Sequence, residues 1–248
     1  MPLNIVALAC ASQKLAVTRA AGIEPLLSPP LTLATFDPGV LTALTPFPPL
    51  PVCGERGNNS GEPLQSGEGP SPPRPVLWER GPGDEGPSPP RPGCRERGPG
   101  GEGLLYLALH GMPGQPYLYG DDLVTALHVD AFRDLDLSAC VVFASSCHFP
   151  DTPFLKALLH CRPRMLVAGH GQNYARNTSL VGVHRLGYYL RQGLQAGIPP
   201  GLAFAAARQR LRYHLHTLKT RRPRADPRRA EDIAATEDTL AFEAWIRA

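Results

Sequence analysis

The chain has 248 residues, a formal charge of only +3 and 42% apolar residues, so one sizeable core is available and charge alone singles out no partner. No apolar run approaches the ~20 residues that span a bilayer, which excludes a membrane partner at this level. The first apolar run, residues 3–9, is too short for a signal-peptide core and follows no basic residue, so a cytoplasmic protein with reduced thiols is expected.

Composition divides the chain into residues 1–49, 50–103 and 104–248. In the first part, residues 4–10 form an apolar run that predicts a buried strand. Residues 13–21 predict a short helix ended by Gly22, and residues 31–36 a second strand. Asp37 can cap a short helix with Pro38 at its first position. About half of the 29 Pro and of the 25 Gly residues fall between Pro46 and Gly103, almost all of them in the second part. Gly69-Pro-Ser-Pro-Pro-Arg-Pro75 recurs as Gly86-Pro-Ser-Pro-Pro-Arg-Pro92, and Glu79-Arg-Gly-Pro-Gly83 recurs as Glu96-Arg-Gly-Pro-Gly100. Only Val76, Leu77 and Trp78 could build a core there, so a disordered insertion is expected, with a proline-rich docking site as the alternative.

From residue 104 onward, apolar strands alternate with helices. Residues 104–109 and 140–144 are continuous apolar runs that fit central parallel strands. Residues 122–132 read as helical in part. Residues 153–160 predict a helix facing the core through Phe154, Leu155, Leu158 and Leu159. Residues 165–168 form a third short strand, and residues 177–195 and 202–218 two more helices. The fold class that follows is α/β, with a mostly parallel central sheet.

In such sheets, ligands sit beyond the carboxyl ends of the strands. Three of these ends carry reactive or flexible residues: His110-Gly111, Ser145-Ser146-Cys147-His148 and Gly169-His170-Gly171. A thiol needs a base to become a nucleophile at neutral pH, and an imidazole can serve. The backbone N–H groups of Gly111 and Cys147 can then hold a tetrahedral oxyanion. The chemistry needs neither cofactor nor metal.

Residues 104–111, Tyr117-Leu-Tyr-Gly120 and residues 135–147 together resemble the catalytic core of caspase-like cysteine proteases, most closely the CHAT family of prokaryotic proteases. The resemblance rests on a strand ending in His-Gly and, 37 residues later, a strand ending in Cys. It continues through residues 154–160, through residues 165–178, which resemble the family's next strand and specificity loop, and through the helices around residues 187–193 and 201–211, with a looser fit at residues 1–45. It implies a caspase-like three-layer sandwich with helices on both faces, and a cysteine endopeptidase with His110 as base and Cys147 as nucleophile. Its substrate pocket is expected from Ser145, Ser146, His148, Asp151, Gly169, His170 and Gly171. A peptide or protein substrate is implied, with a regulatory protein partner. His148-Phe149-Pro150 departs from the Gly that often follows the family's cysteine. Ser145 stands where metacaspases carry Asp. The short stretch before His110 suggests a missing edge strand.

Other classes remain open from the residues alone. One is a catalytically silent signalling or scaffold domain. Another is a nucleic-acid-binding protein, because residues 208–229 hold nine Lys or Arg against one Asp. Arg208, Arg210, Arg212 and His216 are expected to be one exposed helix face. A zinc site drawn from Cys147, His148, His160, Cys161, His170 and His110 has no familiar ligand spacing. Cys10, Cys53, Cys94 and Cys140 carry no assigned role.

Overall fold

The computed structural model describes residues 3–42, 44, 103–173, 179–220 and 227–246. These belong to a unit formed by Met1–Pro48 and Gly100–Ala248. The second unit, Pro49–Pro99, with the repeats, Cys53, Cys94 and residues 76–78, lies outside the described residues.

Strand β1 (Asn4–Cys10) enters a 3-10 turn and helix α1 (Lys14–Ala21). Gly22 ends α1 at φ 77°, its N–H donating to Thr18 O at 2.8 Å, the left-handed cap a glycine adopts freely. The second strand is β2 (Leu26–Ser28), not residues 31–36. Those residues instead turn back on themselves, with Thr32 O accepting from Phe36 N at 2.8 Å and from Thr35 N at 3.0 Å. β2 lies at one edge of the sheet. Helix α2 (Gly39–Thr42) follows, and Asp37 accepts from Gly39 N–H at 2.8 Å as a cap should.

Strand β3 (Gly103–Ala108) leads into a small antiparallel sheet of β4 (His110–Gly111), β5 (Tyr117–Tyr119) and β6 (Thr125–His128). The partial helix expected at residues 122–132 is therefore two 3-10 turns, Asp121–Leu123 and Val129–Phe132, around a strand. Asp122 and Leu123 both take positive φ, which breaks any helix there. Strand β7 (Cys140–Ala144), helix α3 (Pro153–His160) and strand β8 (Met165–Ala168) match expectation. Thr152 caps α3 by accepting from Phe154 N–H at 3.3 Å, with Pro153 in the first turn. Phe154 and Leu158 are buried, but Leu159 is 40% exposed and does not face the core. Helices α4 (Gly182–Gln195) and α5 (Pro200–Thr220) are followed by α6 (Pro227–Thr239) and strand β9 (Glu243–Ile246).

The central sheet runs β2-β1-β3-β7-β8-β9, parallel except for β9, which pairs antiparallel with β8. Its inner strands are buried on both faces, as crossover helices require. One face packs Leu105, Leu107, Val142 and Leu166 against Phe154 and Leu158 of α3 and Leu118 and Leu127 of the small sheet. The other packs Tyr106, Val141, Phe143 and Val167 against Val17 of α1, Leu186 and Leu190 of α4, and Phe204 of α5. The protein is thus a three-layer α/β sandwich with a mixed, mostly parallel six-stranded sheet. Among the described residues, no helix is long and apolar enough to cross a membrane.

Helix α4 presses its Gly187 onto the sheet. A Cβ there would stand 2.6 Å from Tyr106 Cε2 and 3.1 Å from Phe143 Cε1. Gly187→Ala is expected to destabilise the fold by about 1–3 kcal/mol, since ring carbons of the sheet must shift. Thermal unfolding of the variant checks this.

Beside it, buried His184 meets the Tyr106 hydroxyl through Nδ1 at 2.9 Å, while its Nε2 is buried with no hydrogen-bond partner among the described residues. Burial pushes its pKa down from 6.5 to about 4. Between those values the unfolded chain binds a proton that the folded chain refuses. The contribution of neutral His184 is therefore complete above pH 6.5 and lost as pH falls towards 4, by up to about 3 kcal/mol. Denaturant titrations from pH 7 to 4.5 should show this loss, and His184→Gln should flatten it. An equally steep fall in both proteins would contradict the assignment.

Candidate active site

Neighbouring parallel strands β1, β3, β7 and β8 deliver their carboxyl ends to one edge of the sheet. Cys10 ends β1, His110 follows β3, Cys147 follows β7 and His170 follows β8. The crevice inferred from the order of strand-end residues therefore has its strands adjacent.

The β3–β7 ladder sets His110 and Cys147 in relation to each other. Partners run from Gly103 opposite Cys140 to Leu107 opposite Ala144, always 37 positions apart, and His110 and Cys147 are 37 apart as well. Ser145 carries the ladder one step further, its N–H and its hydroxyl both donating to Leu107 O at 2.7 and 2.9 Å. Beyond that the ladder stops: His110 and Gly111 turn into β4 and pair with β5, and Cys147 lies in a turn after β7, so the two segments meet through Gly111. Gly111 is required at the next position. A side chain there would collide with the carbonyl oxygen of Cys147. The space beside Gly111 thus belongs to the Cys147 main chain.

Burial separates the described cysteines by chemistry. Cys10, Cys140 and Cys161 are buried, and Cys147 is the partly exposed one. Loss of solvation pushes the Cys10 and Cys140 thiols up to about 12 and the Cys161 thiol upward as well. All three are held as thiols and make donor contacts to main-chain carbonyls. A nucleophile has to be reachable, and Cys147 meets that condition.

The partners of Cys147 come from the loop after β8. Asn173 N–H donates to its Sγ at 3.2 Å, and the thiol lies 3.8 Å from Asn173 O. The Asn173 side-chain amide donates to the carbonyls of Ser145 and Ser146 at 3.2 and 2.8 Å. One residue thus fixes both the chain entering the cysteine and its sulfur. Asn173 lies inside the loop expected to set specificity, but nothing in its sequence surroundings distinguishes it from other loop amides.

His110 is partly exposed, and its ring leans towards the β1 side of the crevice. Its ring nitrogen, Cys10 Sγ and an Asp121 carboxylate oxygen all lie within 4.8 Å of one another. Asp121 is held there by Ser12, whose N–H and hydroxyl each donate to a separate carboxylate oxygen at 2.6 Å. Asp121 follows β5, so the small sheet folds it back onto the strand ends.

The other pocket residues divide. Ser146 is buried, and its hydroxyl has no hydrogen-bond partner among the described residues. His148 takes the left-handed conformation, φ 49°, and its N–H donates to Gly171 O at 2.6 Å, which ties the loops after β7 and β8 together. Its ring stands 3.7 Å from the Asp151 carboxylate, and Asp151 O accepts from Gly114 N–H at 2.8 Å. Gly169 is packed under Phe242, and Gly171 adopts φ 75° facing open space. His170 turns away to β9, where its Nε2 lies 3.3 Å from a Glu243 carboxylate oxygen. Residues 174–178 of the expected specificity loop lie outside the described residues.

The basic face is only partly free. Arg208 donates to Leu240 O at 2.8 Å, and Arg210 stacks 4.2 Å over the Tyr189 ring while donating to Gln192 at 2.8 Å. Arg210, Arg212 and His216 are exposed as expected, and Arg208 is half-buried. Of the six residues weighed for zinc, only His110 belongs to the group of converging ligand atoms found among the described residues.

No family model, curated protein or solved structure matches the chain.

Under native conditions, an alkylating reagent is expected to modify Cys147 well before Cys10, Cys140 or Cys161. Peptide mapping after brief labelling checks the order, and early labelling of Cys10 would contradict it.

Proposed function

We propose that the chain is a caspase-like cysteine endopeptidase of the CHAT type, with Cys147 as nucleophile and His110 as general base. The observation that carries this reading is the close approach of Gly111, next to His110, to the main chain of Cys147, the partly exposed thiol among the described cysteines, at a strand-end crevice. His110 takes the Cys147 proton as the sulfur attacks the peptide carbonyl carbon. The tetrahedral oxyanion is met by the N–H groups of Gly111 and Cys147. Collapse breaks the C–N bond, His110 gives its proton to the leaving amine, and a thioester remains. Water then attacks the thioester, His110 again taking and returning a proton. The Asp121 carboxylate lies beside the transient imidazolium. The thiol must leave Asn173 O to meet His110, a rearrangement that substrate entering the crevice would drive.

A catalytically silent signalling or scaffold domain is favoured by one specific observation, the pairing of the thiol with Asn173 rather than His110. The nucleic-acid reading is weakened because Arg208 and Arg210 are engaged within the fold. A peptide-library cleavage assay separates the readings. Cys147→Ala is expected to lower turnover at least about a thousandfold with the fold intact, and His110→Ala by a similar factor. An electrophilic peptide probe should label Cys147 in the parent protein and fail in His110→Ala. Unchanged cleavage in Cys147→Ala would overturn the endopeptidase assignment.

A further inference from the structure

We infer that Cys10, His110 and Asp121 form a binding site for a zinc-type divalent cation, and that its occupation withdraws His110 from Cys147. The second half rests on the endopeptidase reading; the first does not.

The three ligand atoms lie within 4.8 Å of one another. Tetrahedral zinc with sulfur, nitrogen and oxygen ligands places them about 3.4–3.6 Å apart, so modest side-chain rotations close the site. The donors are a thiol, an imidazole and a carboxylate, the three kinds zinc accepts together. Calcium and magnesium prefer all-oxygen surroundings and are disfavoured by the sulfur and nitrogen. Three protein ligands leave a fourth position for water or another donor.

The group is built by the fold. Cys10 and His110 come from the ends of neighbouring strands, and Asp121 is returned to them by the small sheet. Ser12 holds both Asp121 oxygens through its N–H and hydroxyl, the supporting contact that metal-binding carboxylates use. Cys10 is fully buried, while His110 and Asp121 are partly exposed, so an ion can enter past the latter two and meet the sulfur within. A cation there displaces the thiol proton, because its own charge reverses the local electrostatics. The inference commits the ring to the β1 side of the crevice. An imidazole nitrogen bonded to metal cannot accept a proton from Cys147.

The test uses the full reduced chain carrying Cys147→Ala, titrated with cobalt(II) as a visible probe. The expected result is one equivalent bound in tetrahedral geometry, with a thiolate-to-cobalt charge-transfer band that zinc abolishes by displacement. Adding Cys10→Ala should remove the band. Asp121→Asn, which keeps Cys10, should weaken cobalt binding at least tenfold, and this decides the matter if Cys10→Ala does not fold. No band in the Cys147→Ala protein, a band that survives Cys10→Ala, or unchanged affinity in Asp121→Asn would each overturn the site. In the protein with Cys147 present, zinc should inhibit peptide cleavage, and Asp121→Asn should need at least tenfold more zinc relative to its own uninhibited rate. Cobalt binding through Cys10 without any Cys147-dependent cleavage upholds the metal site and removes the endopeptidase reading. Cleavage that depends on Cys147 without the cobalt band does the reverse.

Discussion

Strands β3 and β7 lie side by side at the centre of the sheet, buried on both faces, and pair along their length with each other and with β1 and β8. Their interiors are accordingly apolar without interruption, from Leu104 to Ala108 and from Cys140 to Ala144. Polar chemistry has room only where the ladder ends. Past the strand ends the two segments stay close, and the main chain of Cys147 lies against Gly111, the neighbour of His110. Substituting at Gly111 would disturb this junction first, because the carbonyl of Cys147 occupies the space a side chain needs.

The same burial explains why chemically similar residues differ in what they can do. Four described cysteines share a functional group, but three sit in apolar surroundings that hold their protons. Cys147 lies one step outside, where the loop after β8 reaches it through Asn173. His184 and His110 differ in the same manner. The first is sealed beneath α4 and kept neutral, and the second stands at the rim of the crevice.

Elements with a strong period or clear end signals were legible in the chain. Pro153–His160 has a threonine cap, a proline in its first turn and two buried apolar residues, and it forms as expected. Residues 31–36 lacked such a constraint. Their apolar content resembled a strand, but Thr32 and Thr35 close a turn and Leu33 remains 44% exposed. The small sheet was missed because β4 and β5 span two and three residues, too few for alternation to register. Strand β9, with only Ala244 and Trp245 turned partly inward, gives no apolar run and is recruited by pairing with β8. Arg208 reads as solvated charge because nothing local indicates Leu240 nearby.

The chain by itself determined the α/β class, the central strands and the two strand-end positions His110 and Cys147. Those features follow from runs of apolar residues and from chemistry placed where such runs stop, and both are local. Only the tertiary structure decided which side of the crevice His110 faces, which cysteines are sealed, and that Asn173 rather than His110 now holds the Cys147 thiol. Each of these depends on residues from separate elements meeting at the same sheet edge. Cys10 and Asp121 are 111 positions apart, and no local pattern records a contact that only the strand order and the folded-back small sheet create.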